Sequence, residues 1–155
     1  MEVDTPEAEG VLFCQGSRFG GHSLFIKDGK LYYVYNFLGM EEQQFVSSEL
    51  VSTGKLVLGA EFSKDHEEPK GVANGTLRLY INDSVVAEGA MKTQPGKFGL
   101  GAGLMIGRNT GDPVSSNYNS PFAFRGGNIK RVTINVSGTP YVQEEAEAGA
   151  MLARE

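Results

Sequence analysis

The sequence predicts an all-β fold of two facing antiparallel sheets, a sandwich of jelly-roll type. Three observations predict it: strand-length apolar runs, an excess of glycine between them, and no helical period ahead of the C-terminal tail. The 21 glycines among 155 residues are about twice the ordinary share of roughly 7%. They fall between apolar segments and outside any G-x-y repeat, as turns joining many short strands require.

Taken in chain order, the expected strands are Val11–Gln15, His22–Lys27, Lys30–Phe37, Gln43–Ser48, Lys55–Phe62, Thr76–Ile81, Val85–Glu88, Leu104–Ile106 and Asn128–Val136. Lys27-Asp28-Gly29-Lys30 puts Asp-Gly at the centre of a two-residue hairpin, where a type I′ turn needs positive φ at both positions. Ile81-Asn82-Asp83-Ser84 offers a second hairpin of the same kind. Period-two alternation places Leu77, Leu79 and Ile81 on one face of their strand, and Leu56, Leu58, Ala60 and Phe62 on one face of theirs. The run from Leu31 to Phe37 is apolar on both sides, which suits a central strand with one face in the core and the other a concave aromatic surface. Lys64–Val72 reads as a charged surface loop.

Only the tail is helical in character. Glu144 to Ala148 and Met151 to Arg154 are rich in good helix formers, with acids at the start and Arg154 near the end, as the helix dipole favours. The expected organisation is one sandwich domain over residues 1–140 followed by a short helical tail over 141–155.

A net charge of −5 argues against nucleic acid and against an anionic membrane surface, both of which call for clustered Lys and Arg. One cysteine, Cys14, allows no intrachain disulfide, so the core alone must hold the fold. The acidic opening Met1-Glu2-Val3-Asp4 lacks the basic and apolar regions of a signal peptide, and no apolar run has the length of a membrane span. The expectation is a soluble, cytoplasmic chain.

Several runs occur in a particular order: Gly16-Ser17-Arg18-Phe19-Gly20-Gly21-His22-Ser23-Leu24, Lys27 to Gly39, Ile106-Gly107-Arg108-Asn109-Thr110-Gly111-Asp112-Pro113-Val114, Ser120-Pro121-Phe122-Ala123-Phe124 and Ile129 to Ile134. At these spacings, from about Glu2 to the C-terminus, the chain resembles the region that follows the catalytic domain in bacterial arylsulfatases. The resemblance implies a concanavalin-like or laminin-G-like jelly roll, with the active site for sulfuric ester hydrolysis in a separate domain. It implies as partners that catalytic domain or a second copy of the chain. The strand that would precede such a module is short here, and the exposed edge expected from this invites strand exchange or edge pairing.

Four patterns that could carry chemistry have plainer readings. Cys14-Gln15-Gly16-Ser17-Arg18 echoes the sulfatase signature C/S-x-P-x-R, but Gly16 replaces the Pro and the run lies on a strand without acidic metal ligands nearby, so Cys14 reads as a small buried apolar residue. Gly99-Leu100-Gly101-Ala102-Gly103-Leu104 misses the phosphate-loop spacing and leads into a strand. None of the expected strands carries a pair of carboxylates at i and i+2 or i+4, as a glycoside hydrolase on this fold would need, since Glu61 stands alone on its strand. His22 and His66 are too separated for zinc or a catalytic triad. No catalytic residue and no obligatory cofactor is therefore assigned.

Two binding features stand beside these. Asn109, Asp112, Asn117 and Asn119 cluster in the long loop Arg108–Ser120 and offer hard oxygen ligands for calcium; the plainer reading is a loop held by its own side-chain hydrogen bonds. Arg18, Tyr32, Asn36 and Tyr80 could line a concave face able to stack on a sugar or aryl group. The expected function is thus an accessory module for domain packing or assembly, with a carbohydrate or sulfated-ligand binding module, calcium-assisted, as the alternative. The absence of Trp leans toward the first, because sugar platforms are commonly built on Trp.

Overall fold

The computed structural model describes residues 1–96 and 102–137, and over these the chain is all-β. Its strands are β1 (Glu2–Val3), β2 (Gly10–Ser17), β3 (Gly20–Lys27), β4 (Lys30–Phe37), β5 (Glu41–Leu50), β6 (Gly54–Lys55), β7 (Leu58–Glu67), β8 (Ala73–Ile81), β9 (Ser84–Lys92), β10 (Leu104–Ile106) and β11 (Gly127–Asn128). They form a five-stranded sheet β10-β2-β3-β4-β5, a three-stranded sheet β7-β8-β9 and a small sheet β11-β1-β6, all with antiparallel pairing. The helical tail expected over 141–155 lies outside the described residues.

Turn chemistry sets the hairpins. Asp28 and Gly29 have φ of 49° and 71°, the left-handed pair that a type I′ turn demands. At Asn82-Asp83 only Asn82 has positive φ, at 53°, so this turn departs from the expected type. A third tight turn joins β4 to β5: Leu38 and Gly39 both have positive φ, and Met40 N–H donates to Phe37 O at 3.0 Å. In the β2–β3 ladder Gly16 faces Gly21, and a Cβ on either would lie 2.2 Å from a backbone oxygen of the other strand, so side chains are excluded there.

Period-two alternation then sorts the side chains into two cores. Ile26, Leu31, Tyr33, Tyr35 and Phe45 from the large sheet meet Leu77, Leu79, Val86 and Met91 from β8 and β9, giving a sandwich-like main core. Gly89 makes room for this contact, since a Cβ there would stand 3.0 Å from the Phe45 ring. At the same seam the Gln43 amide imitates a strand partner, donating to Lys92 O and accepting from Lys92 N–H, both at 2.8 Å.

The opposite face of the large sheet carries a second core. Val11, Cys14, Phe25 and Val34 lie beneath Val114 and Tyr118 of the long loop, with Phe122 packed at its margin. The aromatic face of β4 is therefore roofed, where the sequence suggested an open concave surface. Phe25 explains this, because its ring stacks on Tyr32 and meets Tyr118 edge-on, both at 5.0 Å between centroids.

Three segments differ from expectation. The span Lys55–Phe62 divides, with Leu56-Val57 between β6 and β7, and β7 runs on to Glu67 through half of the expected charged loop. The strand expected over Asn128–Val136 is confined to its first residue, paired with Glu2. Among the described residues beyond it, 129–137, none has a ladder partner, and Ile134 and Val136 are 55% and 91% exposed.

Candidate functional site

Three turns converge at one end of the large sheet. Ser17 to Phe19 closes β2 onto β3, Leu38 to Met40 closes β4 onto β5, and the 108–122 loop crosses beside them. They border an open hollow of about 730 Å³ lined by Arg18, Phe19, Asn36, Leu38, Glu42 and Ser115 among others. This size falls within the range of about 300–1,000 Å³ typical of ligand clefts.

Asn36 holds this rim together. It is buried, and its amide nitrogen donates to Arg18 O at 3.2 Å and to Val114 O at 2.9 Å, while its oxygen accepts Gly39 N–H at 2.8 Å. One side chain thus ties all three turns. Glu42 on β5 secures the loop from beside it, accepting from Ser116 N–H at 2.8 Å and from the Ser115 and Ser116 hydroxyls at 3.0 and 3.2 Å. Arg18 stands in solvent over the Phe19 ring and pairs with Asp112 at 3.4 Å.

Of the four residues expected on a ligand face, Arg18 and Asn36 come together at this rim. Tyr32 is half-buried and stacked on Phe25 within the roofed face. Tyr80 lies apart on β8, where its hydroxyl donates to Glu61 at 2.9 Å beside the Arg78–Glu88 ion pair.

Three of the four residues proposed for calcium have side-chain partners of their own. Asn109 is fully buried and donates to the Tyr118 hydroxyl at 3.0 Å, which in turn donates to Ser23 Oγ at 3.1 Å. The Asn109 Oδ1 is buried with no hydrogen-bond partner. Asn117 turns inward on Ser115 Oγ, Asp112 pairs with Arg18, and Asn119 is exposed. Among the described residues no three His, Cys, Asp or Glu side chains gather where they could share a metal ion.

Burial shifts the pKa values of Cys14 and His22 in opposite directions. Cys14 is buried, its thiol directed at Arg108 O at 3.6 Å, and burial pushes its pKa up to about 11. The thiolate a nucleophile needs is thereby disfavoured. His22 packs among the rings of Phe13, Tyr33 and Tyr35, with Nδ1 3.1 Å from the Tyr33 hydroxyl, and burial pushes its pKa down to about 4.

Sequence reasoning passed over Phe19 and Met40, which are 67% and 73% exposed at the tips of the two hairpins. The signal was present. Each is a large apolar residue beside a turn glycine, where solvent-exposed turns ordinarily carry small or polar residues. The chain matches no protein-family model, no characterised protein and no solved structure at a significant level.

Proposed function

We propose that this chain is a non-catalytic accessory module, a jelly-roll sandwich of the concanavalin-like or laminin-G-like kind that packs against a partner domain. Its sequence resemblance names that partner as the catalytic domain of a bacterial arylsulfatase. The observation that carries the reading is the pair Phe19 and Met40, two large apolar side chains held out in solvent on turns that Asn36 fixes in place. Exposed apolar groups on a preorganised rim suit association, because little conformational freedom is lost when they are covered. Arg18 and Asp112 beside them supply a polar margin. Burial of the Cys14 thiol in its neutral form supports a role in packing and not in bond-making.

Titration calorimetry against an arylsulfatase catalytic core stripped of its own C-terminal module tests this. Saturable binding that Phe19→Ser with Met40→Ser weakens at least tenfold is the expected result. Equal binding by the double variant would remove the rim from the account.

A second reading takes the same rim for a carbohydrate or sulfated ligand, with calcium assisting. It is favoured by the exposed Arg18 guanidinium over a hollow that also presents the Ser116 hydroxyl. A rise of several degrees in melting temperature on adding a sulfated glycan or calcium would support it.

A further inference from the structure

Most polar groups lining the rim hollow are spent on one another. Asn36 uses its amide nitrogen and its oxygen on the three turns, and Ser115 Oγ donates to Glu42 while accepting from Asn117. Glu42 is different. Its Oε2 accepts from the hydroxyls of Ser115 and Ser116, but among the described residues its Oε1 accepts from Ser116 N–H alone. A carboxylate oxygen has room for about two donors.

The charges point the same way. Asp112 is answered by Arg18 at 3.4 Å, and Glu41 by Lys92 at 2.7 Å. Among the described residues no cation pairs with Glu42, whose donors are the neutral groups of Ser115 and Ser116. Of the carboxylates Glu41, Glu42 and Asp112, it is the one left without a countercharge.

Beside Glu42 the hollow is lined by Leu38, Met40 and Pro113, and Met40 is 73% exposed. An apolar wall next to a lone carboxylate fits a long side chain with a hydrocarbon stem and a cationic head. Lysine and arginine share that build. Arginine is favoured because its guanidinium is more weakly hydrated and holds its donors in a fixed fork. The same rim already seats one guanidinium, that of Arg18, 4.9 Å over the Phe19 ring.

We infer that the rim hollow receives an arginine side chain of the partner protein, its stem against Leu38, Met40 and Pro113 and its guanidinium on Glu42. This rests on the docking reading above and deepens it. Phe19 and Met40 supply apolar area that many surfaces could cover, whereas Glu42 selects among them by charge. An anionic group in the same place would meet the uncompensated carboxylate, with Arg18 already engaged by Asp112.

The test titrates the intact chain with pentylguanidinium, an arginine side chain without its backbone, and follows amide shifts by NMR. Expected are saturable shifts at Glu42 and Ser116 in the millimolar range, weakened about fivefold by Glu42→Gln, which keeps an acceptor for Ser116 N–H and removes the charge. Arg18→Gln, an exposed change that removes the competing cation, is expected to strengthen them. Hexanoate, with the same stem and the opposite charge, is expected to bind more weakly than pentylguanidinium. The inference is overturned if hexanoate shifts these amides at the lower concentration, or if neither Glu42→Gln nor Arg18→Gln alters the response to the cation. Calorimetry with the arylsulfatase catalytic core separates it from the docking reading. Core binding that survives Glu42→Gln but not Phe19→Ser with Met40→Ser overturns the arginine and leaves docking standing. Binding of pentylguanidinium without binding of the core defeats the docking reading and keeps the cation site.

Discussion

The side-chain amide of Asn36 donates to the backbone oxygen of Val114 at 2.9 Å, joining β4 of the large sheet to a loop 78 residues further along the chain. The same group holds the turns at Arg18 and Gly39. A buried amide with three partners cannot be truncated without leaving polar groups unmatched.

Asn36→Ala is expected to destabilise the chain by about 1–3 kcal/mol, the cost of orphaned buried groups. Urea unfolding with an unchanged m-value measures it. A loss near zero would mean that the rim is not held in the manner described.

His22 gives the fold a pH dependence of defined sign. Its pKa is about 4 in the folded chain against about 6.5 unfolded, so between these values the unfolded state binds more protons and stability rises with pH. The contribution is complete above about pH 6.5 and is lost as pH falls toward 4, amounting to roughly 3 kcal/mol at 1.36 kcal/mol per pH unit. Melting temperatures from pH 4 to 8 should show this fall in the wild type and a flatter profile in His22→Gln.

Cys14 should resist alkylation. With its pKa pushed up to about 11, iodoacetamide at pH 8 is expected to label the native chain at least a hundredfold more slowly than the urea-unfolded chain. Rapid labelling under native conditions would show an accessible, activated thiol.

Leu79 is fully buried on the inner face of β8, against the large sheet. Leu79→Ala is expected to cost about 2–5 kcal/mol, as buried leucine truncations do. Arg78→Ala, on the outer face of the same strand, is expected to cost under about 1 kcal/mol because its ion pair with Glu88 is exposed.

Much of the strand framework was legible because period two and turn glycine report directly on backbone geometry. β4 keeps its expected bounds of Lys30–Phe37, and Asp28-Gly29 adopts the expected turn. Two features were hidden. That Val114, Tyr118 and Phe122 roof the second face depends on contacts between residues about 90 positions apart, such as Phe25 with Tyr118, which no local pattern encodes. Ile129 to Val136 alternates like a strand, but alternation describes a side-chain face and cannot supply the hydrogen-bonding neighbour that a strand requires.

At the rim, Arg18 and Asn36 were legible as polar residues near turns, while the part Asn36 plays was not. A buried amide and a ligand-contacting amide look alike in sequence; only its donation to Arg18 O and Val114 O assigns it to holding the turns. Tyr32 and Tyr80 were grouped with them by residue type, yet they lie on different sheets.

The most direct test of the accessory, non-catalytic reading is hydrolysis of 4-nitrophenyl sulfate by the purified chain, followed beside Cys14→Ala. The account predicts release of nitrophenol at the buffer rate from both proteins. Multiple turnovers by the wild type that vanish in Cys14→Ala would contradict it.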